Sequence, residues 1–352
     1  MPARLVTAAC LIAAVTSLGA ARGATYLPIP SVKGAVQTEP YAINNLNIIT
    51  GGWYDANGVE HGFVGPLVGS YLTFDYSGAG VLGTEARGIN DLGTVVGWAN
   101  NENFVEGDQF VRDPTGKMTT VTKNGAPLDG ILQGVNDLDG GALVGDYWIY
   151  TPLTRLAYLA QQGAWKQNFV LPFDSTREAA RGINNLGTVV GLFRGAVDGN
   201  LHGFILQNGR ATQVDYPNPA ATQTYLEGIN DIGLATGSWT DTAGDNHAFM
   251  LDTITNTYTP IVPPGSYANA QAFGVNDLGA IVVGTDATAG PANFVYFAYG
   301  GGYGYGTGLI TVGDSPSVHL TGGSFQPAPG PRSLTGDQPV KTKAQSPGAR
   351  QP

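Results

Sequence analysis

Short apolar runs recur along the chain, and many of them open with the same alternation of apolar and polar positions. Residues 181–191 read Arg-Gly-Ile-Asn-Asn-Leu-Gly-Thr-Val-Val-Gly, a β-type run, a turn and a second β-branched run. The turn carries a side-chain acceptor and a glycine, which a tight hairpin loop needs. The pattern therefore predicts a β-hairpin.

This phrase occurs six times. Its first asparagine serves as a marker, and the steps between markers are 46 residues, except for one of 48. Such regularity indicates one structural unit copied along the chain, with the marker as a structural residue of each copy. The six markers are Asn44, Asn90, Asn136, Asn184, Asn230 and Asn276.

Each copy continues with a second pair of strand-like runs, such as residues 202–206 and 211–217 in the fourth copy. Four short strands in about 46 residues are typical of a β-propeller blade. The sequence therefore predicts an all-β protein, a β-propeller with six blades of four antiparallel strands. A parallel solenoid is the rival, but its rungs are shorter and are not built from hairpins.

The start of the repeat region predicts how such a ring closes. Residues 25–30 resemble the fourth strand of a repeat, and we expect them to pair with residues 294–297, which removes the exposed strand edges of an open array. Residues 308–312 also resemble a fourth strand and compete for the same place.

A glycine seven residues after the marker indicates close approach of a neighbouring backbone or a bend in the strand. It is Gly51, Gly97, Gly191 or Gly237 in four copies and shifts to Gly145 and Gly284 in the others. The third copy departs further, with two extra residues in its hairpin loop, a shortened approach to residues 147–150 and an added segment at 161–177. Departures of this kind often mark the functional face of a repeat array.

Composition agrees with an all-β chain and narrows the partners. Only 12% of the 352 residues are charged, against an average of about 25%. Glycine accounts for 52 of the 352 residues, well above its average share of about 7%. The net charge of −10 offers no basic face, so nucleic acid and anionic membrane are unexpected partners.

The two ends differ from the repeats. Residues 1–23 combine Arg4, an apolar run too short to span a membrane and small residues before a cleavage point, which indicates a signal peptide. Residues 24–313 are the repeat domain, and residues 314–352 form a Pro/Gly-rich tail that we expect to be disordered. The single cysteine, Cys10, lies in the leader, so disulfides and thiolate metal sites are unavailable. The sequence predicts a secreted or periplasmic bacterial protein without a cofactor and without a transmembrane segment after cleavage.

The candidate site residues are mostly recurrent. Three of the four histidines, His61, His202 and His247, occupy the same place in their repeats, and recurrence favours a structural role because a catalytic residue is needed once. Asp75, Asp174 and Asp215 end strand-like runs; they bond backbone amides there or form a carboxylate ring at one mouth that binds a cation. Residues 137–140 begin a calcium-loop spacing but lack its distal glutamate.

Aromatic residues follow the hairpin glycines. Either they pack between neighbouring units, or they are exposed at one mouth and form a stacking platform for sugar rings. They are Trp53, Trp98, Tyr147, Phe193 and Trp239.

The repeat resembles a known family. The combination of Gly-Ile-Asn-Asp/Asn-x-Gly-x-Val-Val-Gly with His-Ala-Phe or His-Gly-Phe and Val-Asp-Tyr-Pro resembles the bacterial extracellular repeat proteins named after the His-Ala-Phe triplet. The resemblance covers residues 25–312 and implies an exported repeat protein. Copies two, three and six lack the histidine, and Pro-Ala-Pro at 327–329 is not followed by the apolar helix of the family's sorting segment. The family has no general chemistry, so the resemblance leaves the function open.

Two functions remain. The first is a binding or interaction module for polysaccharide or a protein partner. The second is an exported hydrolase or lyase acting on a polymer at one mouth. No nucleophile motif, phosphate-binding glycine loop or histidine metal spacing occurs in the sequence, which favours the first, and an enzyme would need unique polar residues that converge at one mouth.

Overall fold

The computed structural model describes residues 25–77, 81–101, 107–138, 141–150, 153–287 and 292–298. Within these ranges the ordered elements are β-strands and the chain contains no α-helix. The prediction of an all-β protein is confirmed. Residues 1–23, 308–312 and 314–352, which were expected to be a leader, a closing strand and a tail, lie outside the described residues.

The first two repeats form an eight-stranded sheet made of two antiparallel groups of four. Its strands are β2 (Gln37–Ile43), β3 (Ile48–Tyr54), β4 (Glu60–Pro66), β5 (Leu72–Phe74), β6 (Val81–Ile89), β7 (Val95–Asn101), β8 (Gln109–Arg112) and β9 (Met118–Thr120). Each strand pairs antiparallel with the next within its group. The two groups meet at one parallel pairing, of Glu60 with Gly83.

The third repeat forms a six-stranded sheet. Its strands are β10 (Thr122–Lys123), β11 (Ala126–Pro127), β12 (Gly130–Val135), β13 (Ala142–Tyr150), β14 (Leu153–Gln161) and β15 (Ala164–Asn168). Strands β12 to β15 repeat the group of four, and the hairpin β10–β11 joins β15 through Thr122 and Ala164. Tyr147 to Tyr150 end the second strand of this group. The third strand is β14.

The fourth and fifth repeats each form a four-stranded antiparallel sheet. Their strands are β16 (Ser175–Ile183), β17 (Val189–Gly195), β18 (Leu201–Gln207), β19 (Arg210–Val214), β20 (Gln223–Ile229), β21 (Leu234–Thr240), β22 (Asn246–Asp252) and β23 (Thr257–Pro260). Neighbouring strands in the sequence are neighbours in each sheet.

The last sheet joins the two ends of the described chain. Its strands are β24 (Ala270–Val275), β25 (Ala280–Thr285), β26 (Asn293–Phe297) and β1 (Thr25–Pro28). Thr25 lies opposite Phe297 and Pro28 opposite Phe294. The predicted pairing of the first strand with the last is confirmed.

The marker asparagine shapes the hairpin turn of every repeat. The Oδ1 atom of Asn44 accepts hydrogen bonds from the backbone N–H groups of Leu46 and Ile48, at 3.0 and 2.9 Å. The turn then needs a residue with positive φ, which is Gly93 at 81° in the second repeat and Asn47 at 58° in the first. The turn therefore forms because of side chains that the repeat keeps.

The same asparagines tie the repeats into a closed ring. Among the described residues, Nδ2 of each marker donates to the backbone carbonyl of the next marker at 2.9–3.1 Å. The last link returns to the start, because Nδ2 of Asn276 donates to the carbonyl of Asn44 at 2.9 Å. The strands are therefore arranged about a central axis, in a propeller-like fold.

Apolar side chains fill the space between neighbouring sheets. One core cluster combines Val190 of β17 with Leu226 and Phe249 of the next repeat. Another combines Ile49 and Phe63 of the first repeat with Val282 of the last. Burial of apolar area between the first and last repeats stabilises the closed arrangement.

Candidate functional site

The aromatic residues singled out in the sequence pack against the recurrent histidines. Trp53 stacks on His61 at 4.5 Å between ring centroids and Trp239 stacks on His247 at 4.3 Å. The second face of Trp239 is covered by Tyr216, at 5.0 Å. These rings therefore pack within the sheets in this structure.

Phe193, Tyr147 and Trp98 complete the set. Phe193 lies between Phe173 and His202, at 4.4 and 5.2 Å. Tyr147 is buried and its hydroxyl is bonded by Lys123 Nζ at 2.6 Å. The indole nitrogen of Trp98 is buried. Trp53, Phe193 and Trp239 each stack on the histidine of their own repeat. The structure thus gives these three rings packing partners within their repeats, and the binding role of the five aromatic residues stays a prediction.

The histidines are held by aspartates of their own sheets. Nδ1 of His61 lies 2.7 Å from Asp75, and Nδ1 of His202 lies 2.7 Å from Asp215. Nε2 of His247 lies 3.0 Å from Asp241. The recurrent histidines thus connect the third strand to loops and strand ends, as a structural role requires.

The strand-end aspartates do not form a ring. Asp75 and Asp215 are used by histidines in different repeats, and residues 139 and 140 of the considered calcium loop lie outside the described residues. The carboxylates that do surround the axis are at the residue after the marker. They are Asp91, Asp137, Asp231 and Asp277, with Asn45 and Asn185 completing the circle.

The side-chain amides of this circle clamp its carboxylates. Nδ2 of Asn45 donates to Asp91 and Asp277, both at 2.8 Å. Burial, together with the charges of Asp137 and Asp277, raises the pKa of Asp91 despite the bonds from Asn45. Among the described residues, no group of three or more His, Cys, Asp or Glu side chains is arranged to hold a metal ion.

The opposite mouth is lined by six side chains of five different types. They stand three residues before the marker, and we call the depression that they line the funnel. Its lining residues are Tyr41, Arg87, Gln133, Arg181, Glu227 and Phe273. The space, including solvent at the mouth, is about 560 Å³.

Each funnel residue is the extra residue of a β-bulge. In the second repeat, Ala86 and Gly88 pair with Gly97 and Val96, which leaves Arg87 unpaired between them. The same register shift occurs at the corresponding place in every described repeat. A bulge redirects a side chain and often lies beside a functional site. The fold therefore repeats the device that presents these side chains, although the side chains vary.

Glycines make the bulges possible. A Cβ on Gly97 would overlap the carbonyl oxygen of Glu85 on the bulged strand. The glycine after the bulge residue packs on the next repeat; a Cβ on Gly182 would lie 3.1 Å from the carbonyl oxygen of Glu227. The predicted close backbone approach at the first of these glycines is confirmed, and its cause is the bulge.

Arg87 is held by its neighbours. Its guanidinium lies 3.9 Å from the centroid of the Tyr41 ring, and its Nε forms an ion pair with Glu85. Tyr41 makes an edge contact with Phe273 at 5.3 Å and donates its hydroxyl to Glu39 at 2.6 Å. Burial lowers the pKa of the Arg87 guanidinium, but Glu85, Tyr41, Glu227 and Glu60 together outweigh burial and raise that pKa.

A buried carboxyl pair stands behind Arg87. Burial, followed by the charge and hydrogen bond of Glu85, raises the pKa of Glu60 to about 9. Both side chains are buried, although neither lines the funnel. Glu60 therefore keeps its proton at neutral pH, and Glu85 forms the ion pair with Arg87.

The other side of the funnel has a looser ion pair. Nη1 of Arg181 lies 3.8 Å from Glu227 Oε2, too far for a hydrogen bond. Nε of Arg181 and Nε2 of Gln133 are buried and have no hydrogen-bond partner. The funnel thus offers unsatisfied donors, one carboxylate and two aromatic rings.

An apolar girdle separates the two mouths. It consists of the residue before each marker, namely Ile43, Ile89, Val135, Ile183, Ile229 and Val275, and it lines both depressions. The funnel is therefore closed at its base by aliphatic side chains.

No family model matches the chain, and no curated protein matches its sequence. No helix in the described part of the chain has the length and apolar character needed to cross a membrane.

Two of the following solved structures have a fold similar to that of this chain, with TM-scores of 0.50 or above. AofleA from Arthrobotrys oligospora is 15% identical, with a TM-score of 0.53 over 79% of this chain and 86% of that one. A protein of unknown function from Dyadobacter fermentans is 11% identical, with a TM-score of 0.50 over 79% of this chain and all of that one. A gluconolactonase from Xanthomonas campestris is 13% identical, with a TM-score of 0.46 over 81% and 94% of the two chains. At these identities the similarity concerns the fold alone.

Proposed function

We propose that the chain is an exported six-bladed β-propeller that acts as a binding module, and that the funnel is its binding site. One observation carries the proposal: side chains of five different types stand at six equivalent bulges and line one mouth. The recurrent residues, by contrast, take part in turns and packing. We propose polysaccharide or an extracellular protein as the partner class.

The count of six blades rests on the repeat contacts. Six groups of strands follow one another among the described residues, and their marker asparagines are linked in a ring. β1 supplies the missing outer strand of the last group. The resemblance to His-Ala-Phe repeat proteins and the signal peptide predicted at residues 1–23 support export to the periplasm or the extracellular space.

A second candidate, an exported hydrolase or lyase, is favoured by the carboxyl pair. Glu60 keeps its proton at neutral pH, as a general acid requires, and it lies beside a second carboxyl group, that of Glu85. The pair lies behind Arg87 and outside the funnel lining, so a substrate would have to displace Arg87 to reach it. The binding function therefore has the better support.

A glycan-array screen of residues 24–352, alongside a polymer-hydrolysis panel, separates the two candidates. We expect at least one ligand to bind without turnover and to bind more weakly to Glu227→Gln. Arg210→Gln, on the exposed outer strand β19, is the control and keeps full binding. Turnover of any polymer that Glu60→Gln abolishes would establish the enzyme instead.

A further inference from the structure

Two buried nitrogen donors line the funnel without a protein acceptor. Gln133 is only 5% exposed, and its Nε2 has no hydrogen-bond partner. Nε of Arg181, in the next repeat, is also buried and also has no hydrogen-bond partner. Buried polar groups in native structures are nearly always satisfied, so orphaned donors beside an open depression indicate the place of an acceptor.

These donors belong to a continuous arc. Repeats follow one another around the axis in chain order, so Gln133 stands between Arg87 and Arg181. We call these three residues the donor arc. Two guanidinium groups on either side of an amide favour an acceptor that carries negative charge.

The charges nearby select the kind of anion. Arg87 faces Glu85, and Arg181 faces Glu227 at 3.8 Å, so the two cations are already offset. A dianion such as phosphate would be repelled by these carboxylates more strongly than a singly charged group. A planar carboxylate also matches the fork of a guanidinium.

The wall opposite the donor arc is aromatic. Phe273 and Tyr41 lie in edge contact and complete the funnel on that side, next to Glu227. Such a wall suits the apolar face of a ring, and Glu227 can accept a bond from a hydroxyl group. The arrangement fits a carboxylate attached to a hydroxylated ring.

We propose that the donor arc binds the carboxylate of an acidic sugar or a small hydroxy acid. Gln133 Nε2 and Arg181 Nε donate to its oxygens, and Arg87 supplies charge from a position fixed by Tyr41. The inference rests on the proposed function, because it names the ligand chemistry of the same site.

Isothermal titration of residues 24–352 tests this chemistry. The probes are glucuronate, glucose, lactate, inorganic phosphate and a galacturonate oligomer. We expect glucuronate to bind and glucose to bind at least about tenfold more weakly. Lactate as the tightest probe would identify a small acid, and the oligomer as the tightest probe would identify a polymer end; either supports the proposal.

Three variants locate the binding. Arg181→Gln and Gln133→Ala should each weaken glucuronate binding by about tenfold or more. Two controls should leave it unchanged: Arg210→Gln on the outer strand β19 and Gln207→Ala at the exposed end of β18. Gln133→Glu places a carboxylate within the donor arc; we expect it to raise the melting temperature and to abolish glucuronate binding. If Gln133→Glu instead lowers the melting temperature and binds glucuronate as the wild type does, the proposal is overturned. This result does not depend on whether the other variants fold.

The outcomes distinguish the carboxylate proposal from the proposed binding function on which it rests. If a neutral glycan binds and Arg181→Gln weakens it, the funnel is a binding site but the carboxylate proposal is wrong. If acidic probes bind equally well to every funnel variant, both are wrong. Phosphate binding tighter than glucuronate, or no binding by any acidic probe, overturns the carboxylate proposal and leaves the function to the glycan-array screen.

Discussion

The side-chain amide of Asn276 donates to the backbone carbonyl of Asn44 at 2.9 Å, across 232 residues of sequence. This bond closes a ring that the other markers continue from repeat to repeat. Since every link uses the same side chain that shapes the hairpin turn, local and long-range structure depend on one residue per repeat. Closure and turn formation are therefore expected to fail together.

Replacing Asn276 with alanine tests this coupling. The change leaves the N–H groups of Leu278 and Ala280 and the carbonyl of Asn44 without their partner. Unsatisfied buried groups of this kind cost about 1–3 kcal/mol each, so we expect a loss of about 3 kcal/mol in the free energy of unfolding, measured with urea. The control Asn218→Ala removes an exposed turn bond to Ala220 and should cost less than about 1 kcal/mol. Equal losses would show that the ring adds nothing.

The bulge that presents Arg87 depends on Gly97. A Cβ there would overlap the carbonyl oxygen of Glu85 and would lie 2.9 Å from both the Cα of Ala86 and the ring of Phe110. We expect Gly97→Ala to destabilise the fold by about 3 kcal/mol, in the range of an overpacked core. Gly58→Ala is the matched control. Gly58 has a φ of 78° and a Cβ there would meet no other atom, so the change should cost only backbone strain, about 1 kcal/mol. Chemical denaturation gives the free energy of unfolding of both variants. A loss in Gly97→Ala no larger than that in Gly58→Ala would mean that the bulge can rearrange.

The buried Glu60 predicts how stability changes with pH. Its pKa is raised to about 9 in the folded state, against an ordinary value of 4.5. Between these values the folded protein holds a proton that the unfolded chain releases, so rising pH favours unfolding, by at most about 1.4 kcal/mol per pH unit.

Glu60→Gln should remove this dependence. Urea unfolding between about pH 5 and about pH 8 should show a steeper fall in stability for the wild-type protein than for the variant. Stability of the variant that falls as steeply as that of the wild type would show that Glu60 does not hold the proton.

His202 provides an independent electrostatic test. Burial lowers the pKa of His202, but bonds to Asp215 and Asp198 outweigh burial and raise it above the ordinary value of 6.5. The stabilisation is present below the unfolded pKa and is lost as the pH rises through the folded one. An NMR titration should show a lower pKa of His202 in Asp215→Asn and an unchanged pKa of His202 in Asp252→Asn. Asp252 is the control because its carboxylate accepts bonds from Ile254 and Thr255 in its own turn. A His202 pKa that is insensitive to Asp215 would refute this pairing.

The hairpins, the sheets and the closing strand could be predicted because their causes recur in the sequence. Asn44 and its equivalents shape the turn in each copy, and residues 25–30 keep the pattern of an outer strand. The third strand of the third repeat was harder to predict from the sequence. Tyr158 lies opposite Gly145 there, whereas the first, second, fourth and fifth repeats have phenylalanine opposite the corresponding glycine.

The funnel was missed because it has no motif. Tyr41, Arg87 and Gln133 share only a position three residues before the marker, and a search for recurrence discards such positions. A physical signal was available. In the second repeat a glycine follows the variable position and a second glycine pairs with the residue before it, and both can be read from residues 87–97.

The central claim is that the variable bulge residues bind the ligand, and a single comparison tests it most directly. Equilibrium binding of the ligands found on the glycan array is measured for the wild-type protein and for a variant with Arg87→Gln, Arg181→Gln and Glu227→Gln together. Circular dichroism checks that the variant is folded, and Arg210→Gln serves as the control. The account predicts that the triple variant loses binding by about a hundredfold or more while the control keeps it. Unchanged affinity in the folded triple variant would contradict the account.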